Sequence, residues 1–227
     1  ENDVIVDPMC GSGTTLDVCR DLKRRGVGFD LNPQRPEIQR NDSRKLPLEK
    51  ESVDFVFIDP PYSTHVDYSD DARCIGKLDS GGDDGGRAYY RAMEDVIREI
   101  HRVLKPGRYM GLYVSDSWRK KKSAKGGEFM PIGFELFAIM RKYMTPVDII
   151  IVNFNTRTDL AACLRSLTDA PPARLGSIVV VDNASADGSC EMVRADFPHV
   201  RVLTMAENAG FARPRHHGSG IRGAVAQ

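Results

Sequence analysis

Val4-Ile5-Val6-Asp7-Pro8-Met9-Cys10-Gly11-Ser12-Gly13-Thr14-Thr15-Leu16 is the stretch that decides the fold. Three apolar residues form a short strand that Asp7-Pro8 ends. Gly11-Ser12-Gly13 then turns the chain into a helix predicted over 14–25, with Leu16, Cys19, Leu22 and Lys23 at helical spacing. A strand that feeds a helix through a glycine turn opens an α/β sheet, and such sheets bind ligands beyond the carboxyl ends of their strands. Glycines let backbone approach a ligand closely, and the free N–H groups of a helix start favour a carboxylate or phosphate. No Gly-Lys-Ser/Thr follows, so this is not a P-loop, and the full GxGxxG of a dinucleotide site is also absent.

Outward from this turn the same grammar repeats. Gly26 reads as the helix stop, 27–31 as the second strand and 53–58 as the third, ended by Asp59-Pro60-Pro61. A helix over 89–104 carries Met93, Val96, Ile97, Ile100, Val103 and Leu104 on one face. Strand 109–114 and helix 134–143 follow. After Pro146 come strand 147–153, helix 158–167, strand 177–181, helix 189–197 and strand 200–204. Strands alternating with helices imply a parallel sheet covered on both faces. Residues 213–227 show no hydrophobic period and are expected to be a disordered tail.

The 32 basic and 32 acidic residues cancel, so net charge exerts no long-range pull toward nucleic acid. All ten lysines lie at or before Lys142, which marks a compositional boundary near Pro146. Charge does not shift there: 24 basic and 24 acidic residues precede it, and 8 of each follow. Five cysteines without a CxxC pair argue against a zinc site or a disulfide framework and fit a reducing, cytoplasmic setting. The apolar runs are strand-sized, far short of the roughly 20 residues a membrane helix needs. No signal peptide is visible, and the start at Glu1 without Met reads as a fragment.

Asp59-Pro60-Pro61-Tyr62 carries the chemistry. Prolines remove backbone donors, stiffen the turn and leave carbonyls as acceptors. An aspartate, a carbonyl and an aromatic ring together suit an exocyclic amino group on a planar base. Asp30, ending the second strand, is placed as ribose-binding carboxylates are. With Asp7–Thr14 and Asp59–Tyr62 in this order, residues 1–152 resemble the S-adenosylmethionine-dependent amino methyltransferases of nucleic acids. The resemblance implies a Rossmann-like methyltransferase sheet with helices on both faces. Asp7 and Pro8 belong to its cofactor motif, in which Gly11 and Gly13 line the methionine part. Asp30 would hold the ribose, and Asp42 the adenine amino group. Asp59 and the Pro60 carbonyl would grip the target amine, Pro61 would stiffen the motif, and Tyr62 would stack on the base. Direct methyl transfer needs no cysteine, so Cys10 and Cys74 read as bystanders, and no metal is called for. Adenine N6 of DNA is the favoured target; cytosine N4 and guanine N2 of RNA are compatible.

Between 63 and 87 lies a polar loop with His65, read as a lid or a solvated insertion. Lys120, Lys121 and Lys122 are candidate phosphate contacts, and Trp118 beside them a candidate stacking ring. No separate target-recognition domain is visible, so sequence specificity would lie upstream or in a partner subunit.

Residues 147–213 resemble the start of family 2 glycosyltransferases of the rhamnosyltransferase-like kind. The matching stretches are Val147–Asn155, Val179–Ser189 and Glu207–Ala212. The resemblance implies a partial α/β nucleotide-sugar-binding unit in which Asp182 contacts the nucleoside. It breaks at Arg213, before the family's metal-binding carboxylates and catalytic base. The organisation expected is therefore a methyltransferase domain over 1–146, a partial glycosyltransferase domain over 147–212 and the tail. An alternative reading keeps only a sugar-nucleotide function and leaves the first half inert. The strand 147–152 is expected to pair with the first domain's sheet.

Overall fold

Parallel strands need long crossovers, and the intervening helices supply them. The protein is seen here in a computed structural model that describes residues 3–62, 64, 66–115, 117–120, 127–169, 171 and 175–208. The chain divides into two compact units, Glu1–Met144 and Thr145–Gln227.

The first unit holds β1 (Val4–Asp7), α1 (Thr14–Asp21), β2 (Arg25–Asp30), β3 (Ile38–Arg40) and β4 (Val53–Ile58). Then come α2 (Arg87–Val103), β5 (Leu104–Leu112), β6 (Ser117–Lys120), β7 (Gly127–Met130) and α3 (Ile132–Met140). Five strands form one parallel sheet in the order β3-β2-β1-β4-β5, while β6 and β7 pair as an antiparallel hairpin. The order reverses between β1 and β4, so a crevice opens there at the carboxyl ends. Right-handed crossovers place α1 and α2 on opposite faces. The buried clusters divide accordingly: Leu16 joins Cys10 and Ile38, while the α2 face joins Val6, Val56 and Ile58. On α2, Met93, Val96, Ile97, Ile100 and Val103 are fully buried, a helical stripe worth on the order of 10 kcal/mol in apolar burial. At the far end of the sheet, buried Asp54 accepts the Val4 N–H at 3.0 Å and both its oxygens meet Lys105 Nζ at 2.9 Å. That one carboxylate fastens β1, β4 and β5 together.

Gly26 does not stop α1. The helix ends four residues earlier than expected, at Asp21, and Lys23 takes the left-handed conformation with φ 54°. Lys23 N–H donates to the Arg20 carbonyl at 3.1 Å and Arg24 N–H to that of Cys19 at 2.7 Å, a Schellman closure without glycine. Gly26 instead lies within β2, where a Cβ would stand 2.9 Å from Cys19 Cβ. At Gly28 a Cβ would stand 2.7 Å from Cys10 Sγ. Both glycines let α1 and the glycine turn press onto the sheet.

The second unit holds β8 (Asp148–Asn153), α4 (Arg157–Asp169), β9 (Ser177–Asp182), α5 (Ser189–Asp196) and β10 (Arg201–Thr204). Its parallel sheet runs β10-β9-β8. The expectation that 147–152 joins the first sheet is thus overturned: β8 pairs along its whole length with β9, from Asp148–Ser177 to Asn153–Asp182. Side chains pin that register at both ends. Ser177 Oγ donates to Asp148 Oδ1 at 2.6 Å, and Asn153 Nδ2 to Asp182 Oδ1 at 2.7 Å. One sheet face packs Ile178 and Val180 against α4 and α5, while the other presents Ile150, 67% exposed. The tail 213–227 lies outside the described residues. Among those described, no helix is long and apolar enough to cross a membrane.

The close approach at β2 makes Gly28→Ala an overpacking change that should cost about 1–3 kcal/mol in urea unfolding. Gly111→Ala is the comparison, since its Cβ would meet ordinary contacts at 3.4 Å. Equal midpoints for the two variants would contradict the packing described.

Candidate active site

Asp7 ends β1 nearly buried, 4% exposed. Its Oδ1 accepts the Met9 N–H at 3.0 Å and its Oδ2 the Thr15 hydroxyl at 2.5 Å. The carboxylate therefore clamps both sides of the glycine turn, with Pro8 buried beside it. Burial first, then the fields of Asp59 and Asp30, push its pKa from 3.8 up to about 6, against the two hydrogen bonds that favour the charged form.

Within the turn, Gly13 N–H donates to the Cys10 carbonyl at 2.8 Å, and Cys10 N–H to that of Phe29 at 2.9 Å. Gly11 and Gly13 have φ of 48° and 86°, the left-handed region that favours glycine. Gly11 N–H donates to Asp30 Oδ2 at 2.9 Å, while Asp30 Oδ1 accepts Asn32 N–H at 2.8 Å. The turn and the end of β2 are thus joined through one carboxylate. Arg35 forks onto Asp17 at 2.8 and 2.9 Å, and a Cβ on Gly13 would lie 3.1 Å from its guanidinium. Beside Gly11, by contrast, a Cβ would meet nothing within 4 Å. Cys10 is buried and its thiol is pushed up to about 12, first by burial and then by Asp7 and Asp30, which keeps it protonated and inert.

Asp42 follows β3, tied to the end of β2 by the Asn41 N–H donating to the Asp30 carbonyl at 2.9 Å. Its two oxygens take the Arg44 fork at 2.9 and 2.6 Å. Burial pushes its carboxyl up, but the Arg44 bonds outweigh that and hold it below its ordinary value. In this arrangement the Asp42 carboxylate is engaged by a neighbouring cation.

Across the switch point, Asp59 leaves β4 at the same sheet edge and stays exposed. Tyr62 hydroxyl donates to Asp59 Oδ1 at 2.5 Å. Tyr89 hydroxyl, fully buried on α2, donates to the Pro61 carbonyl at 2.9 Å and holds the double-proline turn against the core. Pro60 is buried beneath the turn. Surrounding protein raises the Asp59 carboxyl, an effect the Tyr62 bond only partly offsets. Burial and the adjacent Asp59 likewise drive the Tyr62 phenol strongly upward, so it remains a neutral donor.

The structure thus brings Asp7, Asp30 and Asp59 within reach of one another's fields, with Gly11 bonded to Asp30. Thr15, Arg35 and Tyr89 were not singled out from sequence. Thr15 had a signal, a hydroxyl in the first helical turn after the glycines. Tyr89 sat at a core position of α2, and its hydroxyl contact had none. Lys120 lies on β6, paired with Gly127, while Lys121, Lys122 and His65 fall outside the described residues.

In the second unit Asp182 ends β9 at 1% exposure. Its Oδ1 accepts Asn153 Nδ2, and its Oδ2 accepts the Ser185 N–H at 2.9 Å. Asn155 Oδ1 accepts the Ala186 N–H at 2.8 Å, closing the loop around the strand end. Asp182 therefore faces inward and organises this loop. No cluster of His, Cys, Asp or Glu able to hold a metal is present among the described residues.

The family model described as DNA methylase matches residues 1–41 and 53–163, about two thirds of the chain. That of glycosyl transferase family 2 matches 148–220. No curated protein matches the chain. Among solved structures, a chain from the complex of the Haloferax volcanii Trm112 methyltransferase activator with a methyltransferase is 25% identical, with a TM-score of 0.31. The match covers 48% of this chain and 44% of that one, so this chain spans less than half the length of the protein it resembles.

The raised Asp7 acidity sets a pH dependence. Its native pKa of about 6 exceeds the ordinary 3.8, so between these values the native state binds more protons than the unfolded one. Stability contributed by the protonated carboxyl is complete below about pH 4 and is lost as pH rises through about 6, by roughly 3 kcal/mol. Urea unfolding of wild type and Asp7→Asn across this window should show the decline only in wild type. Parallel curves would contradict it.

Proposed function

The chain belongs to the DNA methylase family, and from that premise we propose that it transfers a methyl group from S-adenosylmethionine to an exocyclic amine of a nucleic-acid base. Adenine N6 in DNA is the proposed target. One observation carries the reading above all: Asp59, bonded only to a phenol among its described partners, stands across the switch point from a glycine turn held by Asp7 and Asp30.

The residues present fit the cofactor. Open space lies beside Gly11, where no side chain intrudes. The start of α1 suits the amino-acid carboxylate, and Asp30, ending β2, suits the ribose hydroxyls. Asp42 would turn from Arg44 or share its outer lone pairs to meet the adenine amine. When bound, the cofactor supplies an electrophilic methyl group on a sulfonium.

Every other requirement falls on the chain's own side chains. Asp59 and the Pro60 carbonyl accept the two N–H bonds of the target amine, and Tyr62 gives its ring to the base. To do so, the Tyr62 hydroxyl must release Asp59 Oδ1. The freed oxygen is then the acceptor for the proton the amine sheds, a task its upward-shifted acidity suits. Tyr89 keeps the Pro61 carbonyl fixed throughout, so the turn is rigid before the target arrives. Holding the amine in line supplies much of the acceleration. A base in a duplex must first be flipped out. The second unit offers no comparable group among the described residues, since Asp182 is enclosed by its own loop.

Transfer of tritiated methyl groups from the cofactor to DNA tests this. Asp59→Ala and Tyr62→Ala should each lose roughly 100-fold or more, the scale of a misplaced reacting group. Near-normal transfer by either variant refutes the role assigned to that residue.

A further inference from the structure

Two more phenols surround Asp59. The β4–β5 register sets Ile58 beside Leu112, and Tyr113 N–H donates to the Ile58 carbonyl at 2.9 Å. Asp59 and Tyr113 therefore leave neighbouring strands side by side, at the same edge. Tyr68, 41% exposed, takes the Tyr62 backbone N–H on its hydroxyl. Its ring packs where only a glycine leaves room: a Cβ on Gly76 would stand 2.5 Å from it and 3.1 Å from Pro61 Cβ. The field of Asp59 reaches the phenols of Tyr62, Tyr68 and Tyr113, and burial is what mainly keeps all three protonated. No cation is among the groups that act on Asp59.

A carboxylate that served to attract a charged alkylamine would gain nothing from three neutral rings. Rings at this spacing offer flat apolar faces and neutral donors, which suit an uncharged planar amine. Alanine substitution at a stacked base typically weakens binding by an amount that corresponds to about 5- to 150-fold. Flipped bases are held between aromatic and apolar side chains in this manner.

We propose that Tyr113 forms, opposite Tyr62, the second wall of an aromatic slot that admits planar heteroaromatic amines to Asp59, with Tyr68 fixed by Gly76 as its outer rim. Tyr113 is thus a specificity-determining residue that the DPPY turn alone does not reveal. The inference rests on the methyltransferase reading above, and the experiment separates the two.

Methyl transfer is measured with random-sequence single-stranded oligonucleotides, and cofactor affinity by calorimetry with S-adenosylmethionine. Tyr113→Ala should raise the oligonucleotide KM about 5- to 150-fold and leave cofactor affinity unchanged, while Tyr113→Phe recovers most of the loss. Gly76→Ala, which displaces Tyr68, should raise KM in the same direction. An unchanged KM in Tyr113→Ala, with Tyr62→Ala still inactive, overturns the slot and spares the methyltransferase reading. Equal losses in Tyr113→Ala and Tyr113→Phe also overturn it, since the hydroxyl and not the ring face would then matter. A wild type that transfers no methyl group to any oligonucleotide overturns both.

Discussion

The first unit depends on where its parallel strands end. Because β1, β2 and β4 all run the same way, Asp7, Asp30 and Asp59 emerge at one edge, on either side of the point where strand order reverses. Gathering three carboxylates is unfavourable, and the raised acidity of Asp7 registers that repulsion together with burial. Backbone N–H groups of Met9, Gly11 and Asn32 offset it, each donating to one of the acids. At the opposite edge Asp54 does contrary work: paired with Lys105 and Arg108, it is held below its ordinary acidity and fixes the register of three strands. A rigid base leaves the other end free for strained glycines and exposed acids.

Much of this was legible in the residues. The β1–α1 turn and the double-proline turn are local motifs, and the α2 stripe from Met93 to Val103 follows helical period, so none required long-range information. Gly26 was misread because a glycine after a helical run serves equally as a cap or as a gap for close packing. Distance to Cys19 decides between these, and distance is a tertiary quantity. The roles of Arg44 against Asp42 and of Tyr89 against Pro61 were invisible for the same reason. The short β3 and the hairpin of β6 and β7 lack the apolar runs by which strands are recognised.

The strand β8 shows how local pattern underdetermines pairing. Its apolar run suits either sheet, and period 2 does not name a partner. Asp148 and Asn153 decide it, because their side chains bond the two ends of β9. The second unit is accordingly a sheet of its own, built around an inward carboxylate, and its one bare face carries Ile150. The formal neutrality of the chain therefore covers two separately balanced parts with different loop chemistry.

If the switch point between β1 and β4 is a cofactor site, its occupancy must pass through Asp30, the carboxylate that joins the glycine turn to β2. Calorimetric titration of the full chain and of Asp30→Ala with S-adenosylmethionine examines this without any assumption about the target. Saturable binding by wild type, weakened by roughly 10-fold or more in the variant, is the result predicted. No binding by wild type, or equal binding by both proteins, would contradict it.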